Sequence, residues 1–526
     1  MSSRYITTPI YYVNDKPHIG HVYTTTVCDV WARFHRFAGE DVFFLTGTDE
    51  HGVKVEKSAT ERGISPQALA DENAAEFQRI MGMFDLTNDA FIRTTMDDHM
   101  RQVQQFVTRL QETDAIYLGE FEGWYDEGQE EYYTETKAKD LEYKSPISGR
   151  PLVRATEKNY YFRLSAFQEQ LESFFAANPT FVRPEARRNE VLGRLREGLM
   201  DVPVSRTNFS WGVPMPDDPQ HVIYVWIDAL FNYATALGLG DESSAWRSER
   251  GDYWPATFHV IGKEILWFHA VIWPAMLMAL DLKLPTCVYA HSFWISEGKK
   301  MSKSLGNFID LDAIQRYCDH YTLDAFRYFL ATQGPLGATD ADFAAAQFHD
   351  VYQTDLVNTL GNCASRVTAM INKYFDGKVP DEAASGARMT IEDHDWPTIT
   401  STAVAHAGAC MEKFDLSGAI GEGLALIRRV DAFINQTAPF KLAKDESRRD
   451  ELSAILYQCA ETVRIASLLL WCVCPNKMQS LWEALGLQID PSTEALGALA
   501  TWGGLPVGQQ VEKVALFPRL ESPEAD

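Results

Sequence analysis

A β-prone run, a proline-bearing turn and a helical stripe follow one another at the start of the chain, with His18-Ile19-Gly20-His21 at the join. Tyr5-Ile6-Thr7-Thr8-Pro9-Ile10-Tyr11-Tyr12-Val13 is apolar, aromatic and β-branched. It predicts a strand with Pro9 near its exit. Asn14-Asp15-Lys16-Pro17 predicts a turn. Val22, Val27, Val30, Trp31, Phe34 and Phe37 then recur close to helical spacing. The two histidines therefore fall at a strand-to-helix junction, where unpaired backbone N–H groups and the helix dipole attract an anion. Imidazole N–H groups can donate to phosphate oxygens. Gly20, lacking a Cβ, lets a ligand approach the backbone. Taken alone, a pair of histidines capping a helix explains the motif equally well.

Ser296-Glu297-Gly298-Lys299-Lys300-Met301-Ser302-Lys303-Ser304-Leu305-Gly306-Asn307 is the second motif. Lysines and serines between glycines predict a mobile loop rather than a helix or strand. Lysine is a flexible point charge that can follow phosphate charge as it moves during reaction. A solvated basic loop is the ordinary reading of such a run. Paired with the histidines inside an α/β pattern, it predicts ATP opened at its α-phosphate. Both motifs should then meet over one nucleotide.

A length of 526 residues predicts two to four domains, and 46% hydrophobic residues suffice for sizeable cores. Apolar stretches are interrupted before the ~18 residues a membrane span needs. The start runs straight into a strand, with no basic-then-apolar leader, and eight cysteines are scattered along the chain. A reduced, cytoplasmic protein is expected. A net charge of −25 excludes a general nucleic-acid coat. It leaves room for a shaped RNA met by local basic patches. The candidates are Arg183 with Arg187 and Arg188, the 299–303 lysines, and Arg428 with Arg429.

Residues 1–115 alternate strand and helix. Asp41–Gly47 predicts a short buried parallel strand ending in Thr48-Asp49-Glu50-His51-Gly52, at the strand end where open α/β sheets bind ligands. Ser65-Pro66 predicts the N-cap and first turn of a helix through Phe77, Ile80 and Phe84. Residues 116–220 are rich in Glu, Tyr and turn formers and predict an insertion. Residues 221–290 return to the α/β pattern, with buried strands expected at 221–227, 258–262 and 286–290. Residues 291–345 carry the lysine loop. From 346 to 526 the chain turns helical. Phe348, Tyr352, Leu356, Leu360 and Ala364 repeat every four residues, and Val367 and Ile371 extend the stripe. Similar stripes at 418–436 and 450–471 predict a helix bundle. Only the tail after Leu520 reads as disordered.

Beyond the two signatures, ordered motifs run through the chain. They are Thr46-Gly47-Thr48-Asp49-Glu50-His51-Gly52, Tyr161-Phe162-Arg163-Leu164-Ser165, and Ser205-Arg206-Thr207 with Trp211-Gly212-Val213-Pro214. Tyr224-Val225-Trp226-Ile227-Asp228-Ala229, Ile261-Gly262-Lys263-Glu264-Ile265 with Phe268-His269, and Leu360-Gly361-Asn362 with Ser365-Arg366 follow. With these the chain resembles the methionyl-tRNA synthetases, a family of class I aminoacyl-tRNA synthetases, from residue 5 to about residue 445. The resemblance implies a Rossmann-like parallel-sheet catalytic domain (1–115 and 221–290) split by a connective insertion (116–220). A stem-contact region (291–345) and a helical anticodon-binding domain (346–526) follow. It implies ATP-dependent transfer of methionine to tRNA(Met), with Mg2+ accompanying ATP.

The resemblance also assigns residues. His18, His21, Lys300 and Lys303 would be catalytic. Gly20, Gly262, Lys263, Glu264, His291, Met301 and Ser302 would join them around ATP. Ile10, Tyr12, Asp49, Trp226, Tyr233, Ile265 and His269 would hold methionine, with Asp49 on its ammonium. Asn362, Arg366, Pro439 and Phe440 would meet the anticodon. Two departures stand out. The family's zinc-knuckle cysteines are replaced by Asp126, Gln129, Ser145 and Ser148, a poor tetrahedral set. No structural zinc is expected, with Tyr125, Tyr132, Tyr133 and Leu152 supplying the packing. Phe440 stands where the family usually presents a tryptophan for stacking. The end of the bundle predicts a monomer. A synthetase for another apolar amino acid and a non-catalytic tRNA-binding relative are the alternatives. The insertion is small for an editing enzyme, and the intact histidines, lysines and Asp49 favour catalysis.

Overall fold

In the computed structural model the described residues are 3–14, 16–126, 131–133, 135–296, 298–301, 307–382 and 394–521, excluding the side chains of 121–122, 131–132, 155–157 and 300. The first apolar run forms two strands, β1 (Ser3–Thr7) and β2 (Tyr11–Tyr12), rather than the single strand expected. Both lie parallel to the same partner, β3 (Asp41–Asp49), Thr7 opposite Leu45 and Tyr11 opposite Thr48. The first chain thus advances four residues while its partner advances three. Pro9, with no N–H to offer the ladder, sits in this bulge.

Between β2 and β3 runs α1 (Ile19–Phe37), buried along nearly its whole length. β3 is buried from Val42 onward. Its alternate side chains feed two cores: Val42 and Phe44 pack with α1, while Phe43 and Leu45 pack into the opposite layer. β4 (Ala90–Arg93) lies on the far side of β3. Then come β5 (Val182–Arg183), β6 (Phe258–Gly262) and β7 (Cys287–His291). The sheet is parallel throughout, and beyond β3 its order is β1, β6, β7, β5.

Two expectations need correcting. Val182–Arg183 falls within the 116–220 insertion yet returns to the main sheet as its edge, Val182 opposite Val288. The rest of the range includes a four-stranded antiparallel sheet built on Ile116–Asp126 and Val153–Phe162. The strand expected at 221–227 is instead Asp218–Ile223, antiparallel to Ser205–Arg206 and Pro214–Met215. Val225, Trp226 and Ile227 open α2 (Val225–Thr235). A wholly apolar run reads alike as buried strand or buried helix, and every residue of α2 except Trp226 is buried.

The lysine motif also departs from a pure loop. Lys299–Lys300 pairs with Ile295–Ser296 in a hairpin whose turn includes Gly298 at φ 70°. Residues 302–306 lie outside the described residues. Just beyond them the chain touches the start of α1: Ile19 N–H donates to the Ile309 carbonyl at 3.1 Å, and Phe308 stacks edge-on to His18 at 5.2 Å. The two motifs are therefore neighbours in space.

The helical half begins with a continuous run over 345–374, ending in α3 (Asn362–Tyr374). Its middle, Tyr352–Gly361, is π-helical. A strict four-residue stripe overshoots the α-helical turn of about 3.6 residues, and the wider π turns keep Tyr352, Leu356 and Leu360 on the buried face. α4 (Leu416–Thr437) and α5 (Arg449–Leu470) complete the core, α5 being buried from Leu452 to its end. Fully buried Arg327 ties this half to α1: it donates to Asp29 at 2.6 Å and to the carbonyls of Phe84, Cys472 and Val473. Among the described residues no helix is long and apolar enough to cross a membrane.

Candidate active site

The chain leaves β1 toward β3 on one side and places β6 and β7 on the other. The crevice at that reversal is where open α/β sheets take ligands. Here it holds a cavity of about 470 Å3, a size suited to a small-molecule site. The Pro9 bulge brings Ile10 and Tyr12 to its wall, and Asp49 arrives opposite Tyr12 in the strand register. Thr48-Asp49-Glu50-His51 divides its labour. Asp49 lines the cavity, Glu50 is gripped by Arg93 at 2.6 and 2.9 Å, and His51 reaches Asp228.

At one end stand the two histidines. The Gly20 N–H donates to His18 Nδ1 at 3.0 Å, and the His18 N–H donates to His21 Nδ1 at 3.1 Å. Each Nδ1 is an acceptor, so each ring carries its proton on Nε2. Burial, aided by the neighbouring His18, pushes the His21 pKa well below the ordinary value. The helix start thus presents neutral imidazole N–H donors beside its own dipole. Gly20 lines the cavity, and its role is more specific than an open approach. A Cβ there would lie 2.9 Å from His18 Cε1, so the glycine makes room for the capping ring.

The other end is apolar and aromatic. Trp226 and Phe268 stack at 4.1 Å with planes 12° apart. The Tyr233 hydroxyl lies 2.7 Å from His269 Nε2, and His269 Nδ1 lies 3.0 Å from the Ile265 carbonyl. The carbonyl can only accept, so Nδ1 carries the proton and Nε2 accepts from Tyr233. Burial lowers the His269 pKa to about 4, so this ring too is neutral. Such a wall, with one hydroxyl–imidazole handle, fits an unbranched, polarizable apolar side chain.

Gly262, Glu264 and His291 also line the cavity. His291 Nε2 is 2.8 Å from Thr24 Oγ1, and burial brings its pKa to about 4. Lys263 turns away to Asp340 at 2.6 Å. Met301 packs against the core that holds α1. The Lys300 side chain, Ser302 and Lys303 lie outside the described residues. Sequence reasoning missed Lys54, Phe268 as a wall, and Phe293 at the rim. Lys54 was findable: it opens the helix directly after the strand-end motif, and its ammonium lies 6.0 Å from the Tyr12 ring.

In the helical half, Asn362 is exposed while Arg366 pairs with Asp431 at 2.8 Å and donates to Asn435 at 3.2 Å. Pro439 is buried and Phe440 is 47% exposed, just after Ala438 in the left-handed region at φ 48°. The expected basic patches are largely committed to structure. Arg183 donates to the Lys413 carbonyl, Arg187 to Ser292 and the Ala338 carbonyl, and Arg428 to Asp355.

Among the described residues one His/Glu cluster has metal-ligand spacing, His35, Glu40 and Glu412, but Arg4 already bonds both carboxylates. Where the resemblance puts the knuckle, Ser145 Oγ accepts from the Ser148 N–H at 3.1 Å and the Ile147 N–H at 3.4 Å. Tyr133, Ala138 and Leu152 form a small core beside Trp124 and Tyr143. Of the packing residues expected there, Tyr133 and Leu152 are present. Tyr125 lies 6.0 Å from the Arg206 guanidinium instead, and the Tyr132 side chain and Gln129 are outside the described residues.

A switch-point cavity, an anion-ready helix start and a lysine hairpin beside it make the arrangement expected of a class I aminoacyl-tRNA synthetase. A family profile described as "tRNA synthetases class I (M)" matches residues 4–141 and 137–368. The methionine–tRNA ligase of Halalkalibacterium halodurans is 44% identical over 531 residues, spanning 99% of this chain and 79% of that protein. That of Bacillus subtilis is 42% identical over 99% of this chain and 78% of its own length. Mycobacterium tuberculosis methionyl-tRNA synthetase in complex with methionyl-adenylate superposes with a TM-score of 0.87 at 36% identity, covering 99% of this chain and 100% of that one. Its apo form gives 0.81 at 33%, covering 99% of each. The chain belongs to the methionyl-tRNA synthetases, the ATP-dependent ligases that join methionine to tRNA.

Proposed function

We propose that the cavity holds methionine against the Trp226–Tyr233 wall and the ATP phosphates against His18 and His21, so that methionyl-adenylate forms between them. The carrying observation is the shared cavity: a neutral apolar wall at one end and Nε2–H donors at the other. Asp49 takes the substrate ammonium. A methionine carboxylate oxygen attacks the α-phosphorus, the bond to the bridging oxygen of the β-phosphate breaks, and pyrophosphate leaves. The terminal ribose hydroxyl of the tRNA then attacks the activated carbonyl and AMP departs. The protein's part is alignment and stabilisation of developing charge. His18 and His21 donate to the phosphates. Lys300 and Lys303 are assigned to the leaving pyrophosphate by resemblance. Among amino acids, methionine is expected to support ATP–pyrophosphate exchange, and equal stimulation by leucine or valine would overturn this reading.

Magnesium is assigned to ATP itself. The donors at the helix start are N–H groups, which suit phosphate oxygens and not a cation, so the triphosphate and water would supply its ligands. The former knuckle does not fit zinc, because Ser145 already spends its oxygen on backbone N–H groups. Elemental analysis of purified protein is expected to show far less than one zinc per chain; a stoichiometric amount would reverse this. Asn362, Arg366, Pro439 and Phe440 are assigned to the anticodon, with Phe440 stacking on a base. The eight cysteines are all free, which supports a reducing, cytoplasmic setting. Seven large apolar side chains among the described residues are exposed, few for an obligate dimer face, which supports a monomer.

A further inference from the structure

Behind the methionine wall lies a buried carboxylate that the reaction does not touch. Asp228 is on α2, between Trp226 and Tyr233, and is fully buried. Its Oδ2 lies 2.7 Å from His51 Nδ1 and its Oδ1 lies 2.9 Å from His99 Nε2. All three side chains are at most 4% exposed. His51 follows Asp49 by two residues at the end of β3, while His99 comes from the helix Asp97–Glu112 behind. His99 Nδ1 is 2.7 Å from Thr235 Oγ1, at the far end of α2. One carboxylate therefore joins the strand end bearing Asp49 to the helix bearing Trp226 and Tyr233. Burial opposes its charge, but His51 and His99 prevail and hold its pKa at about 2.

A desolvated charge is an expensive way to hold two elements together, since apolar packing of similar volume is often as stable. What a carboxylate adds is direction: two acceptor oxygens fix the angle and distance of both imidazoles. We propose that Asp228 is a positioning residue for the amino-acid site, setting the distance between the Asp49 carboxylate and the Trp226–Tyr233 wall through its grip on His51 and His99. This rests on the reading of Asp49 as the ammonium's partner. The two ends of methionine are bound by different elements, so the span between them is a specificity element as much as either wall.

The test is methionine-dependent ATP–pyrophosphate exchange. Asp228→Asn keeps the shape but turns an amide toward one of the N–H donors. It is expected to raise KM for methionine by about 10- to 100-fold, the size of a lost charge-assisted hydrogen bond, with KM for ATP within about threefold. A purely structural role would lower the melting temperature and the yield of active enzyme while leaving KM for methionine alone, and that result overturns the proposal. Should Asp228→Asn not fold, Asp228→Glu keeps the charge on a longer arm and is expected to show the same selective rise in KM. An unchanged KM in that variant likewise overturns it. Asp49→Asn separates the two levels. If it raises KM for methionine while the Asp228 variants do not, the positioning role alone fails. If it has no effect, the reading of Asp49 fails with it.

Discussion

Replacing His21 by asparagine is expected to slow methionine-dependent ATP–pyrophosphate exchange by about 100- to 1000-fold in kcat, the usual cost of one preorganised donor to a developing oxyanion. The argument rests on the two jobs of this ring. Its Nδ1 accepts the His18 N–H and closes the first turn of α1. Its Nε2 carries the proton that the proposed reaction offers to phosphate. Asparagine keeps an acceptor near the Nδ1 position and cannot reach the Nε2 position. The cap should therefore survive, with a melting temperature within a few degrees of wild type, on the scale of about 1 kcal/mol for a cap. The loss should fall on kcat more than on KM for ATP, because charge builds on the phosphate oxygens only as the reaction proceeds. Glutamine makes the complementary change, restoring a distal N–H and losing the cap acceptor. It is expected to retain more activity and less stability than asparagine. If both variants lose activity only in step with melting temperature, His21 is a helix cap and nothing more.

That division of roles could not be read from the sequence, which placed His18 and His21 correctly at a helix start but could not fix their tautomers. A tautomer depends on which backbone N–H points at which nitrogen, and that is set by the extended backbone at His18, φ −147° and ψ 179°. Local chemistry was legible where one residue decides. Ser65 accepts the Ala68 N–H at 3.1 Å and Pro66 follows it, as the dipeptide implies. Order along the chain was legible too, because β3, β6 and β7 are apolar runs bounded by turns. What failed was anything decided by partners far away. The helix of Val225–Thr235 is buried at every residue except Trp226, and periodicity has nothing to say about a segment with no exposed face. The edge strand Val182–Arg183 is two residues long and exists only because β7 is there to receive it. Asp228 escaped notice as a functional residue for the same reason: its significance lies in His51 and His99, which stand 177 and 129 residues away in sequence.

The neutral histidines around the cavity carry a second large prediction, a loss of stability on mild acidification. His269 and His291 titrate near 4 in the folded protein, and burial holds His259 well below its ordinary value as well. The Trp273 Nε1–H points at His259 Nε2 from 3.4 Å, so a second proton there would face a donor. Unfolded histidines titrate near 6.5, so between about 6.5 and 4 the unfolded chain binds more protons than the folded one. Stability is then full above that window and falls as pH drops through it. By pH 5, His269 and His291 should each have withdrawn about 2 kcal/mol at 1.36 kcal/mol per unit. Asp324 and Asp431, whose pKa values burial raises, pull the other way as they take up protons. Asp29 and Asp228, both near 2, begin to lose their contribution only as pH falls through the unfolded carboxylate value of about 3.9, so their loss adds little between pH 7 and pH 5. Denaturant unfolding at pH 7 and pH 5 isolates the effect when wild type is compared with His269→Gln, which cannot titrate. The wild type should lose about 2 kcal/mol more than the variant over that interval, and equal losses would remove His269 from the account. The same proton has a functional consequence. An imidazolium at His269 would place a positive charge behind the wall proposed to receive an apolar side chain, and would stand against the ammonium assigned to Asp49. Methionine affinity measured by calorimetry should therefore hold through the range in which stability is lost and fall only as pH drops through about 4, where the folded ring takes its proton.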